Sequence, residues 1–206
     1  MRRLIVNNIV SLDGYYADAV GSPLALNMDA MFDQANLDSI SVADVLLLGR
    51  DSFDGFSSHW PFVAEAPEPV DPDAPEARVY SDVNRETSRC YNALPKVVVS
   101  DRGPVADDNA WAGSTTVIPR DQAARWVSEA KRSGDGDIVV FGSRRTWNAL
   151  MAKGLVDELH LMVSPTVIGS GVPLFSAPAT LDLIDCRREV DSPNVQLRYC
   201  VVSSSH

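Results

Sequence analysis

Short apolar runs alternate with amphipathic stretches along the chain. Leu4 to Val10 is apolar and rich in β-branched residues, and it stops at Ser11-Leu12-Asp13-Gly14, where Asp-Gly marks a turn; this predicts the first strand. Asn27 to Ile40 places Met28, Met31, Phe32, Ala35 and Ile40 at helical spacing, with Asn27 as candidate cap. Val42 to Leu48 is a second apolar run, closed by Gly49-Arg50, and reads as a buried parallel strand. Ala64 to Ala77 interleaves four prolines with acidic residues and predicts a surface loop. Beyond it the pattern predicts a helix within Arg78 to Asn92, strands at Lys96 to Ser100 and Thr115 to Ile118, and an amphipathic helix at Asp121 to Ser133. Asp137 to Phe141 is the clearest interior strand, followed by a helix from Arg144 to Lys153 with Gly154 as its C-terminal cap. Strands at Glu158 to Ser164, near Pro173 to Phe175, at Leu181 to Arg188 and at Val195 to Ser203 complete the chain.

This alternation predicts the α/β class: a three-layer sandwich with a central, mainly parallel twisted sheet, helices on both faces and antiparallel C-terminal strands. At 206 residues and 45% hydrophobic, the chain has enough apolar material for one core, so it is read as a single domain over 1–206. Ligands of such sheets sit at the carboxyl ends of the strands, which directs attention to the turns after Val10, Leu48, Val99 and Phe141.

Charge and composition narrow the function. A formal charge of −10 argues against a nucleic-acid or acidic-membrane surface, because both need clustered Lys and Arg. No apolar run is long enough for a membrane helix and the N-terminus lacks a leader pattern, so a cytoplasmic protein is expected. Cys90, Cys186 and Cys200 are odd in number and widely spaced, matching neither a disulfide framework nor a zinc pattern. Any bound phosphate must therefore be met by a few local cations and backbone amides.

Three of the four turns offer those groups. Phe141-Gly142-Ser143-Arg144 joins a strand to a helix: glycine admits close backbone approach, Ser143 can cap the helix, and the helix N-terminus favours an anion. A glycine turn of this form is also an ordinary connection, and the full G-x-G-x-x-G pattern is absent. Leu48-Gly49-Arg50-Asp51-Ser52 adds a guanidinium and a hydroxyl, unless Arg50 simply pairs with Asp51. Ser100-Asp101-Arg102 repeats the combination after the next strand. The first turn, Ser11 to Ala17, has a carboxylate, hydroxyls and two aromatic rings but no cation, which suits a flat organic ring; the plainer alternative is that Asp13-Gly14 only makes the turn.

These segments, with Trp60-Pro61, Val97-Val98-Val99-Ser100, Gly154-Leu155-Val156-Asp157-Glu158-Leu159, Pro165 and Gly169-Ser170-Gly171-Val172-Pro173-Leu174-Phe175, resemble the dihydrofolate-reductase-like superfamily and within it the riboflavin-biosynthesis reductase C-terminal domain family. The resemblance spans nearly the whole chain and implies an NADPH-dependent reductase and a homodimer. It implies Gly49, Arg50 and Ser52 on the dinucleotide phosphates, Ser100 and Arg102 near the adenosine 2′-phosphate, Gly142, Ser143 and Arg144 at the pyrophosphate turn, and Ser11, Tyr15, Tyr16 and Phe32 at the nicotinamide and substrate. Two departures matter. Riboflavin-pathway reductases carry Glu-Gly-Gly where this chain has Phe141-Gly142-Ser143, so their pyrimidine-binding carboxylate is missing. Dihydrofolate reductases have a carboxylate early in the first helix, for which Asp29 and Asp33 are the candidates, without the preceding Trp and Pro.

The expected reaction is hydride transfer from NADPH to a C=N or C=C bond of a small flat, pterin- or pyrimidine-like substrate, with Asp13, Asp29 or a water held by either as proton source. His59 is read as a loop residue, His160 as facing a sheet surface, and Asp157 and Glu158 as a charged turn at a strand start. Alternatives are a non-catalytic nucleotide- or pterin-binding protein of the same fold and a flavin-using reductase.

Overall fold

The computed structural model describes residues 2–71 and 74–202. Met1, Pro72 and Asp73 of the predicted 64–77 loop, and Ser203 at the end of the last predicted strand, lie outside the described residues. The elements are β1 (Leu4–Ser11), β2 (Tyr15–Ala17), α1 (Ala30–Ile40), β3 (Ala43–Gly49), α2 (Arg50–Val63), α3 (Asp82–Ala93), β4 (Lys96–Val99), β5 (Thr115–Ile118), α4 (Ala123–Ala130), β6 (Asp137–Phe141), α5 (Arg144–Met151), β7 (Glu158–Ser164), β8 (Val172–Pro173), β9 (Leu181–Arg187) and β10 (Val195–Val201).

The main sheet runs β5-β4-β3-β6-β1-β7-β10-β9. Its first six strands are parallel, and β10 and β9 join antiparallel at one edge. Strand alternation sorts the apolar residues onto two faces. Val6, Leu47, Val97, Val140 and Leu159 meet α4 and α5 through Val127, Trp147 and Leu150. The opposite face presents Leu46, Leu48, Val98, Val139 and Phe141 to Phe53 of α2 and Tyr91 of α3, while Ile9 and Met162 meet Met31 and Ala35 of α1. The predicted three-layer α/β architecture is the observed one. Among the described residues no helix is long and apolar enough to cross a membrane.

Several boundaries differ from those expected. The first helix starts at Ala30 rather than Asn27, and its cap is Asp29, whose carboxylate accepts the Phe32 amide at 3.1 Å. α2 was not predicted at all. Its serines, Gly55 and Pro61 depress the apolar signal, yet Phe53, Phe56, Ser57, Trp60 and Val63 recur at helical spacing toward the sheet. His59 consequently lies in this helix, stacked edge-on against Trp60, and not in a loop.

The helix expected within Arg78 to Asn92 runs from Asp82 to Ala93, capped by Ser81 and preceded by a 3-10 turn at Pro75–Tyr80. That of Asp121 to Ser133 is shortened to Ala123–Ala130 behind another 3-10 turn. The start of the Pro-rich loop is anchored: buried Arg85 donates to the carbonyls of Val63, Ala64 and Ala66 and to Glu68. Its far end is held by Arg78, which ion-pairs with Asp33 on α1.

Candidate active site

Two strand-to-helix turns form the floor of the site. β3 passes at Gly49 directly into α2, and β6 passes through Gly142 and Ser143 into α5. Gly142 and Ser143 both take left-handed backbone angles, φ 55° and 51°. A serine adopts that region only when something else holds it. Here the holding is reciprocal: the Ser143 amide donates to Ser52 Oγ at 2.9 Å, and Ser143 Oγ accepts the Gly49 amide at 2.9 Å. The expectation that Ser143 caps α5 with its side chain is therefore corrected; its hydroxyl is turned away to join the two turns. A side chain would be crowded at both glycines. A Cβ on Gly49 would stand 2.7 Å from Thr146 Oγ1, and one on Gly142 would stand 3.2 Å from both Ser52 Oγ and the Tyr16 hydroxyl.

Above this floor lies a cleft of about 730 Å³, within the size range of small-molecule sites. Six of the chain's 18 Lys and Arg residues line it, namely Arg50, Arg102, Arg120, Arg144, Arg145 and Lys153, against a single carboxylate among the described residues, Asp51. In a protein of formal charge −10 this is a local inversion of the field. The cations differ in how freely they could meet a ligand. Arg50 is spent on structure: it binds Asp54 at 2.8 Å and the carbonyls of Gly103 and Pro104, so it holds the turn after β4. Arg144 grips the carbonyls of Pro173 and Leu174. Arg102 and Arg145 are exposed and share Asp51, one on each carboxylate oxygen. Burial works against ionisation of Asp51, but the two guanidinium groups outweigh it and hold its carboxyl below the usual range.

The cleft thus collects Gly49, Arg50, Ser52, Arg102, Gly142, Ser143, Arg144 and Tyr16 from the residues singled out in the sequence. The other seven, Ser11, Asp13, Tyr15, Asp29, Phe32, Asp33 and Ser100, lie off it. Ser100 is buried and accepts the Arg102 amide at 3.0 Å, shaping the turn that presents Arg102. Ser11 donates to Asp13 at 2.6 Å and accepts the Tyr15 amide at 2.8 Å. Asp13 also accepts the amides of Ile168 and Gly169, so it ties the first turn to that segment, and the Ser11 hydroxyl heads the causes that keep its carboxyl ionised. Asp29 caps α1 and accepts from Ser192 at 2.6 Å and Asn27 at 3.1 Å. The Tyr15 hydroxyl points to the Gly169 carbonyl, and Phe32 packs against the buried cluster of Ile9, Leu26, Met31, Ala35 and Met162. Asp33 is buried between Arg78 and Asn84; burial raises its pKa above the ordinary value against their pull.

Sequence reasoning missed Arg145, Asp51, Phe56, Arg120 and Lys153 as lining residues. Arg145 and Asp51 adjoin residues it did select; Phe56 sits on the unpredicted helix; Arg120 and Lys153 come from separate elements and carry no local signature. Phe141 is 4% exposed, packed edge-on against Tyr91 at 5.6 Å and near Phe56, so the position before Gly142 belongs to an aromatic core with no carboxylate. His160 lies on the inner face of β7 between Glu158 at 2.9 Å and Arg198 at 3.2 Å, and takes no part in the cleft.

Known proteins share this architecture. The chain is 28% identical over 174 residues, 84% of its own length and 80% of the relative's, to the uncharacterized protein YyaP of Bacillus subtilis (strain 168). Among solved structures it superposes on a putative riboflavin biosynthesis protein from Shewanella sp. PV-4 with a TM-score of 0.65 at 20% identity, covering 98% of this chain and 99% of that one. It matches Acinetobacter baumannii RibD with a TM-score of 0.62 at 16% identity, covering 98% of this chain but 58% of that longer one. Dihydrofolate reductase from Enterococcus faecalis, complexed with NADP(H), gives 0.59 at 13% identity, with 98% and 97% covered. The fold is dihydrofolate-reductase-like. The description "RibD C-terminal domain" matches residues 2–197, and the chain belongs to that family.

Proposed function

We propose that the protein is an NADPH-dependent reductase of a small, flat heterocycle. The observation that carries this reading is the cleft itself: six cations and one carboxylate over two fused glycine turns, at the carboxyl ends of β3 and β6. The residues suit a dinucleotide. The backbone of Arg144 and Arg145 begins α5 at the edge of the cleft, where the end of a helix favours an anion, and Arg102 and Arg145 offer guanidinium groups within one arm's length of each other through Asp51. Arg102, on the turn shaped by Ser100, is the candidate for the 2′-phosphate that distinguishes NADPH. When bound, the dihydronicotinamide supplies a hydride for a C=N or C=C bond. Tyr16 and Phe56 add to the cleft lining two rings suited to a flat partner. Phe141 takes no part in binding a polar pyrimidine, which favours a substrate other than that of the riboflavin-pathway reductases.

The test is a titration of the purified protein with NADPH and NADH by nicotinamide fluorescence, followed by a panel of pterins, quinones and cyclic imines scored by loss of nicotinamide absorbance. Saturable binding with turnover of one class supports the proposal. Absence of nucleotide binding refutes it, and tight binding without turnover across the panel turns it toward a non-catalytic binding protein.

A further inference from the structure

Resting on the dinucleotide reading of the cleft, we propose that the phenol of Tyr16, rather than either carboxylate of the neighbouring loops, is the group that delivers the proton to the reduced substrate. Three observations carry this. The first is placement. Residues 15 and 16 of an extended strand point to opposite sides, and Tyr15 goes out to Gly169 while Tyr16 goes into the cleft. The strand is fixed there by pairing of Tyr15 with Pro173 and Ala17 with Val172, by the Leu174 amide on the Gly14 carbonyl at 3.0 Å, and by Arg144 on the carbonyls of Pro173 and Leu174.

The second is availability. Among the described residues the Tyr16 hydroxyl has no hydrogen-bond partner, although its ring packs on the main core. The point where a Gly142 Cβ would project is 3.2 Å from this hydroxyl and 3.2 Å from Ser52 Oγ, which sets the phenol at the floor of the cleft, beside the turn that enters α5.

The third is the state of the alternatives. Asp13 already accepts three hydrogen bonds that favour its ionised form and lies off the cleft, and Asp29 is occupied by Phe32, Asn27 and Ser192. Tyr16 carries its proton at neutral pH: burial pushes the phenol above its ordinary value, and the Arg144 guanidinium, the charged group that faces it, opposes that shift. From α2 the facing group is the neutral Ser52 hydroxyl, and β8 contributes only Val172 and Pro173.

The step balances. Hydride from the dihydronicotinamide forms a new C–H bond on the substrate and oxidises the cofactor to NADP⁺. The electron pair displaced from the C=N or C=C bond takes the Tyr16 proton, leaving a phenolate beside Arg144 that is reprotonated by water through the open cleft.

The experiment needs no substrate. Tyrosinate absorbance is titrated against pH in the wild-type protein and in Tyr16→Phe, free and saturated with NADP⁺ or NADPH; the difference between the two proteins isolates one phenol. Both nucleotides bring the same phosphates, and only the oxidised ring is cationic. A phenol in contact with that ring ionises about one to three pH units lower in the NADP⁺ complex than in the NADPH complex. Equal values in the two complexes overturn the assignment. Failure of both nucleotides to quench or enhance fluorescence overturns the cofactor reading instead. Tyr16→Phe keeps the ring, so it retains both affinities within about twofold if the phenol serves the proton. Should that variant lose its fold, fluorotyrosine at position 16, read by fluorine NMR in the three states, gives the same answer.

Discussion

Replacing Arg102 by Ala tests the cleft at its most exposed cation. The Arg102 side chain is 53% accessible and its partners are Asp51 and, at 3.8 Å, Asp54; when Arg102 is removed Asp51 retains Arg145 at 2.6 Å and Asp54 retains Arg50 at 2.8 Å. No charge is left buried and alone, so folding stability changes by less than about 0.5 kcal/mol. A guanidinium hydrogen bond to a phosphate contributes about 1.5–3 kcal/mol, and the exposure of Arg102 together with competition from Asp51 selects the lower end. NADPH affinity then falls about tenfold, whereas NADH, which lacks the 2′-phosphate, loses less than about twofold. Parallel fluorescence titrations of both nucleotides at one ionic strength, with a thermal melt to confirm folding, make the comparison. Equal losses for the two would place Arg102 on a phosphate common to both; an unchanged NADPH affinity would remove it from the site.

Gly142→Ala places a methyl 3.2 Å from two hydroxyls on a left-handed backbone, and it loses both stability, by about 1–2 kcal/mol, and nucleotide binding. Gly154→Ala is the control: φ is +67° but nothing lies within 4 Å, so a melt shows a similar loss while binding is retained. Buried Lys96 contacts the Asn92 carbonyl, Ser114 and the Trp111 ring, and burial lowers its pKa from 10.5 to about 8. Between those values the unfolded chain binds more protons than the folded one, so stability rises with pH across that window. Urea unfolding of wild type and Lys96→Met therefore shifts in favour of wild type by up to about 3 kcal/mol as pH climbs through it; parallel profiles would contradict the mechanism. Arg85→Met strands the carbonyls of Val63, Ala64 and Ala66, costs about 2–4 kcal/mol and opens the 64–77 segment to protease. Resistance equal to wild type would show that the clamp is dispensable.

The strands were the legible part of this chain. Ile138 to Phe141 is an unbroken apolar run because both faces of a central strand are covered, and the observed limits of Asp137 to Phe141 and of Glu158 to Ser164 are those expected from the sequence. Helices resting on one side only were harder. α2 hides its stripe behind Ser52, Gly55, Ser57 and Pro61, and the cap of α1 moved from Asn27 to Asp29 because either side chain satisfies the local rule and tertiary contacts with Ser192 decide. The same limit governs the site. Gly49, Arg102 and Gly142 announce themselves by sitting at or shortly after strand ends, while Arg120 and Lys153 reach the cleft from positions with no such mark. Arg50 was legible as a residue of the site but not in its work, since its fork is occupied by carbonyls of a turn more than fifty residues away.

A basic trough cut into an acidic body also governs how fast an anionic ligand arrives. At very low ionic strength, where the screening length is about 30 Å, a dinucleotide meets the repulsion of the whole −10 surface long before it senses Arg102 or Arg145. Near physiological salt the length shrinks to about 8 Å and the far repulsion fades, while the six lining cations still act at contact. Association therefore speeds up as the first salt is added even though dissociation quickens too. Stopped-flow binding records the two trends separately: capture is an event of the last few ångströms, and the bulk of the molecule acts as a barrier that ordinary cellular salt dissolves.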